Sequence, residues 1–205
     1  MSRLHLYLLF VLPLLMVSVH STAQADYKLW LQYAKVQDSK LALEYKSKIN
    51  GIVALGNSET IQVASKELQL GLSEMLDTKI EVKQNLEDEN VLIFGSKTSL
   101  NEEHIKALKN EFDQINNEGY IIKSISLNNK NHILITGKTD VGVLYGVFRF
   151  LRTLQYNYSP EKYNYVDSPK INLRILNHWD NLNGMVERGY AGASLWNWQK
   201  LPDFI

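Results

Sequence analysis

Apolar positions along the chain recur at two spacings, and the switches between them outline alternating strands and helices. An almost unbroken apolar run covers residues 6–19, and Leu29, Trp30, Tyr33 and Ala34 then fall at helical spacing in a stretch short enough to be a packed arm. Residues 49–55 predict a strand that ends in the turn signal Gly56-Asn57. Ser58 can cap the helix that follows, because its hydroxyl can accept a backbone N–H left unpaired in the first turn. Ile61, Ala64, Leu68, Leu72, Met75 and Leu76 share one face of that helix. Short apolar runs at 80–82 and 91–94 predict two more strands. Asn101 is placed to cap a second helix, with Glu102 and Glu103 complementing its dipole and Ile105, Leu108, Phe112 and Ile115 turned inward. Residues 120–125 and 133–136 predict a hairpin across the polar stretch Asn128-Asn129-Lys130-Asn131. Thr139 or Asp140 caps the most strongly patterned helix, with an expected apolar face of Val141, Leu144, Tyr145, Phe148, Leu151 and Leu154.

This order predicts a two-layer α/β domain over residues 26–168: a small mixed sheet with helices on one face. After Gln155 the periodicity lapses. Tyr156, Tyr158, Tyr163 and Tyr165 sit among polar residues and Pro160, which reads as a connector ending near Pro169. Their rings can stack on sugar, although gluing the connector to its neighbours is the stronger reading of such amphipathic side chains. Ile171, Leu173 and Ile175 then alternate with Asn172 and Arg174, predicting a strand that ends in Asn177-His178-Trp179-Asp180-Asn181.

Composition places the 205-residue chain among folded globular proteins, with 45% hydrophobic and 21% charged residues. Twenty-two basic residues balance 22 acidic ones, so no basic field draws nucleic acid or an anionic membrane. The absence of cysteine excludes disulfides, thiolate metal sites and cysteine nucleophiles. Arg3, the apolar run and the small-residue site Ala23-Gln24-Ala25 read as a signal peptide over residues 1–25, hence export to the periplasm or beyond. Pro13 interrupts the run, which is shorter than the roughly 20 apolar residues of a spanning helix, so no membrane association is expected after cleavage.

Several motifs carry no chemistry. Gly137-Lys138-Thr139 resembles the end of a phosphate-binding loop but lacks the required upstream glycine, His132 standing in its place. Gly142 and Gly146 read as a close-packing face. His104, His132 and His178 lack the spacing of a metal site, and no cofactor is called for. Asn157-Tyr158-Ser159 is a formal glycosylation sequon of low specificity, and no serine occupies a nucleophile elbow.

The polar cluster at 177–181 is the most informative stretch. Amide, imidazole, indole and carboxylate groups at a strand's end are costly unless they bond one another or face a solvated cleft. Trp179 offers a flat apolar wall for a sugar ring, and Asn177, His178 and Asp180 offer hydrogen bonds; a polar turn with Trp179 tucked into the core is equally compatible with the residues. The block from 171 to 198 resembles the opening of the catalytic barrel in α-glucuronidases of glycoside hydrolase family 67. Arg174, residues 177–182, Gly184, residues 187–192, Ser194 and Trp196 carry the resemblance. Residues 135–155 are similar to the end of that family's N-terminal domain. Asn183, where the family has Asp, and Ala193, where a larger polar residue is common, depart from the pattern.

The resemblance implies that residues 169–205 begin a (β/α)8 barrel, of which only the first strand is within the chain, and that Trp179 lines a uronic-acid pocket. It implies inverting hydrolysis of the bond between (4-O-methyl)glucuronic acid and xylo-oligosaccharides, with the acid and base carboxylates about 6.5–9.5 Å apart. Those carboxylates lie on later strands, so no catalytic residue is expected here, and Asp180 and Glu187 read as loop-fixing groups. The expected partner is a glucuronic-acid-substituted xylo-oligosaccharide, and a homodimer of the full-length enzyme is compatible with the resemblance. The alternative is an exported, non-catalytic carbohydrate-binding or interaction module; the apolar run of Trp, Leu and Ile over 193–205 favours a truncated enzyme. Export predicts cleavage after Ala25, so mass spectrometry of the mature protein should find Asp26 at its N-terminus; a retained Met1 would refute it.

Overall fold

The computed structural model describes residues 31–175, other than 87 and 160. Tyr33–Trp179 group as one compact unit, and the fold below is that of its described part. In chain order the elements are α1 (Ser39–Lys48), β1 (Gly51–Leu55), α2 (Glu59–Leu76), β2 (Val91–Ser96), α3 (Glu102–Ala107), α4 (Lys109–Gln114), β3 (Tyr120–Leu127), β4 (Lys130–Gly137), α5 (Asp140–Gln155) and β5 (Asn164–Asp167). The five strands form one mixed sheet in the order β1-β2-β4-β3-β5, with β1, β2 and β4 parallel and β3 antiparallel to both of its neighbours.

Register decides which side chains share a face. Ile52 aligns with Leu92 and Leu92 with Ile133, so these three point together at α1, α2 and α5. There they meet Tyr45, Leu68, Leu72, Val147 and Phe150 in the larger core. This is the expected two-layer packing. The opposite face holds Val53, Val91, Ile93, Ile121 and Leu134, and it is covered by Leu108, Phe112 and Ile115. Helix α4 and its flanking residues Leu108 and Ile115 thus add a smaller cover on the face opposite the other helices, where the sequence predicts helices on one face only. Strand β2 is buried at all six positions as a result, as a central parallel strand with both faces covered should be.

The end signals act as read. Ser58 accepts from Ile61 N at 3.2 Å, Asn101 from His104 N at 2.9 Å, and Thr139 from Gly142 N at 3.4 Å. The hairpin closes on two residues, Asn128 and Asn129, both with positive φ (50° and 62°), as a tight turn matching strand twist requires.

Other expectations need correction. Helix α1 was not anticipated: Asp38 caps it by accepting from Lys40 N and Leu41 N, but only Tyr45 is fully buried, so its apolar signal is thin. Residues 80–82 form no strand beyond a single bridge from Val82 to Ile52, because Val82 is exposed and has no layer to pack on. The helix expected from Asn101 leaves helical geometry at Leu108 (φ −106°, ψ 15°); α3 buries nothing, whereas Phe112 on α4 is in the core. The connector contains β5, which pairs with β3 from Asn164 to Asp167. Residues 171–175 are in no strand, and Ile171, Leu173 and Ile175 are 66%, 75% and 76% exposed. Alternation favours a strand only where a neighbour supplies the ladder, and no described residue does so there.

The face expected for α5 holds in part: Leu151 and Leu154 are buried, and Leu144 and Tyr145 pack against the core. Val141 and Phe148 are exposed, whereas Val143, Val147 and Phe150 are buried beside Gly142 and Gly146. The two glycines set this orientation. A Cβ on Gly146 would lie 2.7 Å from Ile135 Cγ2, and one on Gly142 would clash with the Gly119 carbonyl oxygen. Alanine improves helix propensity over glycine by up to ~1 kcal/mol, and overpacking a tight contact costs about 1–3 kcal/mol. Gly142→Ala should therefore lower the denaturant midpoint despite its better propensity, and a raised midpoint would show that the helix can lift from the sheet without loss.

Candidate functional site

The turn at 115–119 is held from two sides. Thr139 Oγ1 donates to the Asn117 carbonyl at 2.6 Å and Lys138 Nζ to the Ile115 carbonyl at 2.6 Å, which ties the turn to the start of α5. Asn116 N donates to Ser168 Oγ at 3.0 Å and Asn116 Nδ2 to the Pro169 carbonyl at 3.3 Å, which ties it to the end of β5. This corner lies at the carboxyl end of β4, the edge where open α/β sheets gather their functional groups. Lys138 is engaged on a backbone carbonyl, in keeping with the rejection of Gly137-Lys138-Thr139 as a phosphate loop.

From the corner the chain runs on through residues 170–175. Arg174 turns back: its guanidinium donates to Glu118 Oε2 at 2.5 Å and to Tyr145 Oη at 3.2 Å, and it lies 5.5 Å from the centroid of the Tyr145 ring. A further bond goes to the Ile171 carbonyl. Glu118 first, then Tyr145, holds the guanidinium above even its usual high pKa. The candidate substrate-contacting residues Asn177, His178, Trp179 and Asp180 follow immediately and lie outside the described residues. What the structure describes ends with Arg174 and Ile175. The sequence reading missed the contacts of Arg174, although that residue was within the informative block.

Elsewhere the described residues offer little acid–base chemistry. Lysine partners hold the carboxyls of Asp77, Asp88, Glu111 and Asp113 below their ordinary range, and Lys48 with Ser159 does the same for Glu44. A general acid working near neutrality needs the opposite displacement. A cavity of about 370 Å³ opens where Lys48, Ser124, Asn131, Glu161 and Tyr163 converge. Its one carboxylate is Glu161. No group of three or more His, Asp or Glu side chains gathers among the described residues to hold a metal. The connector tyrosines divide: Tyr163 is buried with its ring 5.4 Å from Phe150 and 6.3 Å from Tyr165, whereas Tyr156 and Tyr158 are exposed. Gluing describes the first pair only. Burial pushes the Tyr45 hydroxyl up to about 12, so it stays protonated at any physiological pH.

Comparison with known families decides the affiliation. The model described as glycosyl hydrolase family 67 N-terminus matches residues 29–150, more than half of the chain, and that of the family 67 middle domain matches residues 153–205. The chain belongs to glycosyl hydrolase family 67. Among curated proteins it is similar to the probable alpha-glucuronidase A of Aspergillus oryzae, 29% identical over 195 residues that make up 91% of this chain and 22% of that protein. It is 30% identical to the Aspergillus niger protein of the same name over 193 residues, 91% of this chain and 21% of that one. An Aspergillus fumigatus relative, also a probable alpha-glucuronidase A, is 31% identical over 170 residues, 81% of this chain and 19% of its own length. The chain thus spans about a fifth of the length of the curated relatives it matches. The family resemblance first drawn from residues 135–155 and 171–198 extends across nearly the whole chain.

Among the described residues His132 is a buried polar group with poor compensation. It is 3% exposed between Val91 and Ile125 of the neighbouring strands, and neither ring nitrogen meets a partner in good hydrogen-bond geometry. Burial lowers its pKa below the ordinary 6.5; the Val91 backbone and Glu89 pull the other way, and Lys130 adds to the lowering. The folded chain therefore refuses a proton that the unfolded chain accepts. Stability should be full above about pH 6.5 and fall as the pH drops through that value toward the lower folded pKa. Replacing His132 with Leu should flatten the dependence of the thermal midpoint on pH between 7 and 5; an unchanged slope would assign the acid sensitivity to other groups.

Proposed function

We propose that this chain is the N-terminal part of an exported α-glucuronidase that releases (4-O-methyl)glucuronic acid from α-1,2 linkage on xylo-oligosaccharides during xylan breakdown. The observation that carries this reading is the succession of two family 67 matches, N-terminus then middle domain, with a break only between residues 150 and 153. The relatives' name, alpha-glucuronidase, supplies the reaction class. The apolar run and Ala23-Gln24-Ala25 support export to the periplasm or the extracellular space.

In this reading the domain over 26–168 is an accessory support, and residues 169–205 open the barrel that binds substrate. Trp179 forms an apolar wall of the uronic-acid pocket, with Asn177, His178 and Asp180 as hydrogen-bonding neighbours. The acid that protonates the leaving oxygen and the base that activates water come from later barrel strands, so this chain by itself is inactive.

The test uses the polypeptide with the following family 67 domains attached, assayed on aldouronic acids. It should release uronic acid, whereas the 205-residue chain should not. Trp179→Ala should lower kcat/KM by about tenfold or more, the loss expected when an aromatic wall is removed from a desolvated pocket. The melting of the N-terminal domain should be unchanged. No uronic acid from the extended polypeptide would favour the binding-module alternative, and a fully active Trp179→Ala would return that residue to a packing role.

A further inference from the structure

We propose that the cavity at the amino end of β4 is a carbohydrate site of the N-terminal domain itself, one that takes a neutral, hydroxyl-rich ring. In the α-glucuronidase reading, on which the choice of sugar rests, that ring is an unsubstituted xylose unit of the substrate backbone.

The cavity lies where the larger core runs out. On its helical face the sheet carries Ile122 of β3, Ile133 and Ile135 of β4, and Leu92 and Phe94 of β2, all buried. At the same end of these three neighbouring strands the sequence turns polar: Ser124 and Ser126 follow Ile122, Asn131 precedes Ile133, and Asn90 precedes Leu92. Side chains alternate along a strand, so Ser124, Ser126 and Asn131 stand on the face of Ile122 and Ile133. Register gathers them, because Ser124 pairs with Ile133 and Ser126 with Asn131. With Asn90 and Tyr163 they line the volume of about 370 Å³. Ligand sites for small molecules span about 300–1,000 Å³, so one sugar ring is the fitting size. The imidazole of His132 takes no part, since its register with Val91 puts it on the opposite face.

The walls are fixed while their polar side chains are free. Asn90 N donates to the Asn131 carbonyl at 2.7 Å, and Asn50 N to the Asn90 carbonyl at 2.7 Å. Tyr163 is 3% exposed and is clasped to Ser124 twice, its N–H donating to Ser124 Oγ at 2.9 Å and its carbonyl accepting from Ser124 N at 2.9 Å. Among the described residues the side chains of Asn90, Ser126 and Asn131 make no hydrogen bond, and the Ser124 hydroxyl keeps its proton to give. Charge is balanced as well. Lys48 is engaged by Glu44 Oε1 at 2.8 Å and Ser159 Oγ at 3.1 Å, and Glu161 offsets Lys162. Burial pushes the Tyr163 hydroxyl well above its ordinary value, which leaves that wall uncharged. An anion finds no uncompensated cation here. A sugar hydroxyl, which both donates and accepts, is matched by amides and serines that do the same. Ile133 and Tyr163 add apolar surface for the C–H face of the ring.

A titration of the 205-residue chain with xylotriose, followed by amide chemical shifts, tests this. Saturable shifts should appear at Ser124, Ser126, Asn131 and Tyr163, and glucuronic acid or inorganic phosphate should cause none there. Ser126→Ala combined with Asn131→Ala removes two bonding side chains and should weaken xylotriose binding about tenfold or more at an unchanged melting midpoint. Should that pair melt early, the single replacements carry the comparison, each with a severalfold weakening. The proposal is overturned by the absence of saturable shifts, by shifts confined to another surface such as Tyr156 and Tyr158, by an equal response to glucuronic acid, or by undiminished binding in the altered chains. Binding here without uronic acid release by the extended polypeptide leaves the site standing and fails the enzymatic reading. Release without binding keeps that reading and fails the site.

Discussion

The seating of helix α5 on the sheet depends on two positions with no side chain. Gly142 and Gly146 let the helix approach until Val143, Val147, Phe150 and Leu154 reach the strands, and those four supply much of the larger core. The same approach places Thr139 against Asn117 and brings Tyr145 beside Glu118. A helix lifted by one methyl group would loosen the core and shift both partners of Arg174. Packing density and the geometry of the exit corner are thus one constraint seen at two places, since close-packed interiors transmit small displacements.

A mixed sheet makes that corner available. Parallel strands β1, β2 and β4 bring their carboxyl ends to one edge, and antiparallel β3 begins at that edge after the turn at 115–119. Strand β5, running antiparallel to β3, ends at the same edge and delivers the chain past Ser168 and Pro169 toward Arg174. Had β5 been a loose connector, the departing chain would have no registered starting point. The family 67 N-terminus match ends at residue 150 and the middle-domain match begins at 153, both inside α5, so the turn at 115–119 falls within the first match and β5 within the second.

Signals that depend on local chemistry were readable from the sequence. Ser58, Asn101 and Thr139 cap helices because each can satisfy a nearby N–H whatever lies beyond, and Asn128-Asn129 turns a hairpin because Asn tolerates positive φ. Signals that depend on tertiary partners were not. In α1 a single fully buried side chain, Tyr45, gives too little periodicity to stand out. On α5 Val141 and Phe148 are expected inward, and close approach at the glycines buries Val143, Val147 and Phe150 in their stead. The split at Leu108 and the pairing of β5 are likewise decided by what lies across the fold. The chemistry of Trp179 is read from residue types and family resemblance, while the Arg174–Glu118 ion pair joins residues 56 positions apart, a pairing no local pattern encodes.

The two outer edges of the sheet end the ladder in different ways. Along β1 the backbone of Ile52 is taken up by Glu81 and Lys83, so part of that side is already bonded. Strand β5 is only four residues long and has Asn164 and Asp167 at its ends. Sheet proteins commonly protect exposed edges with short strands and charged residues, since an open row of N–H and C=O groups is a template for another chain. The described part of the domain therefore offers little purchase for a second chain to extend its sheet.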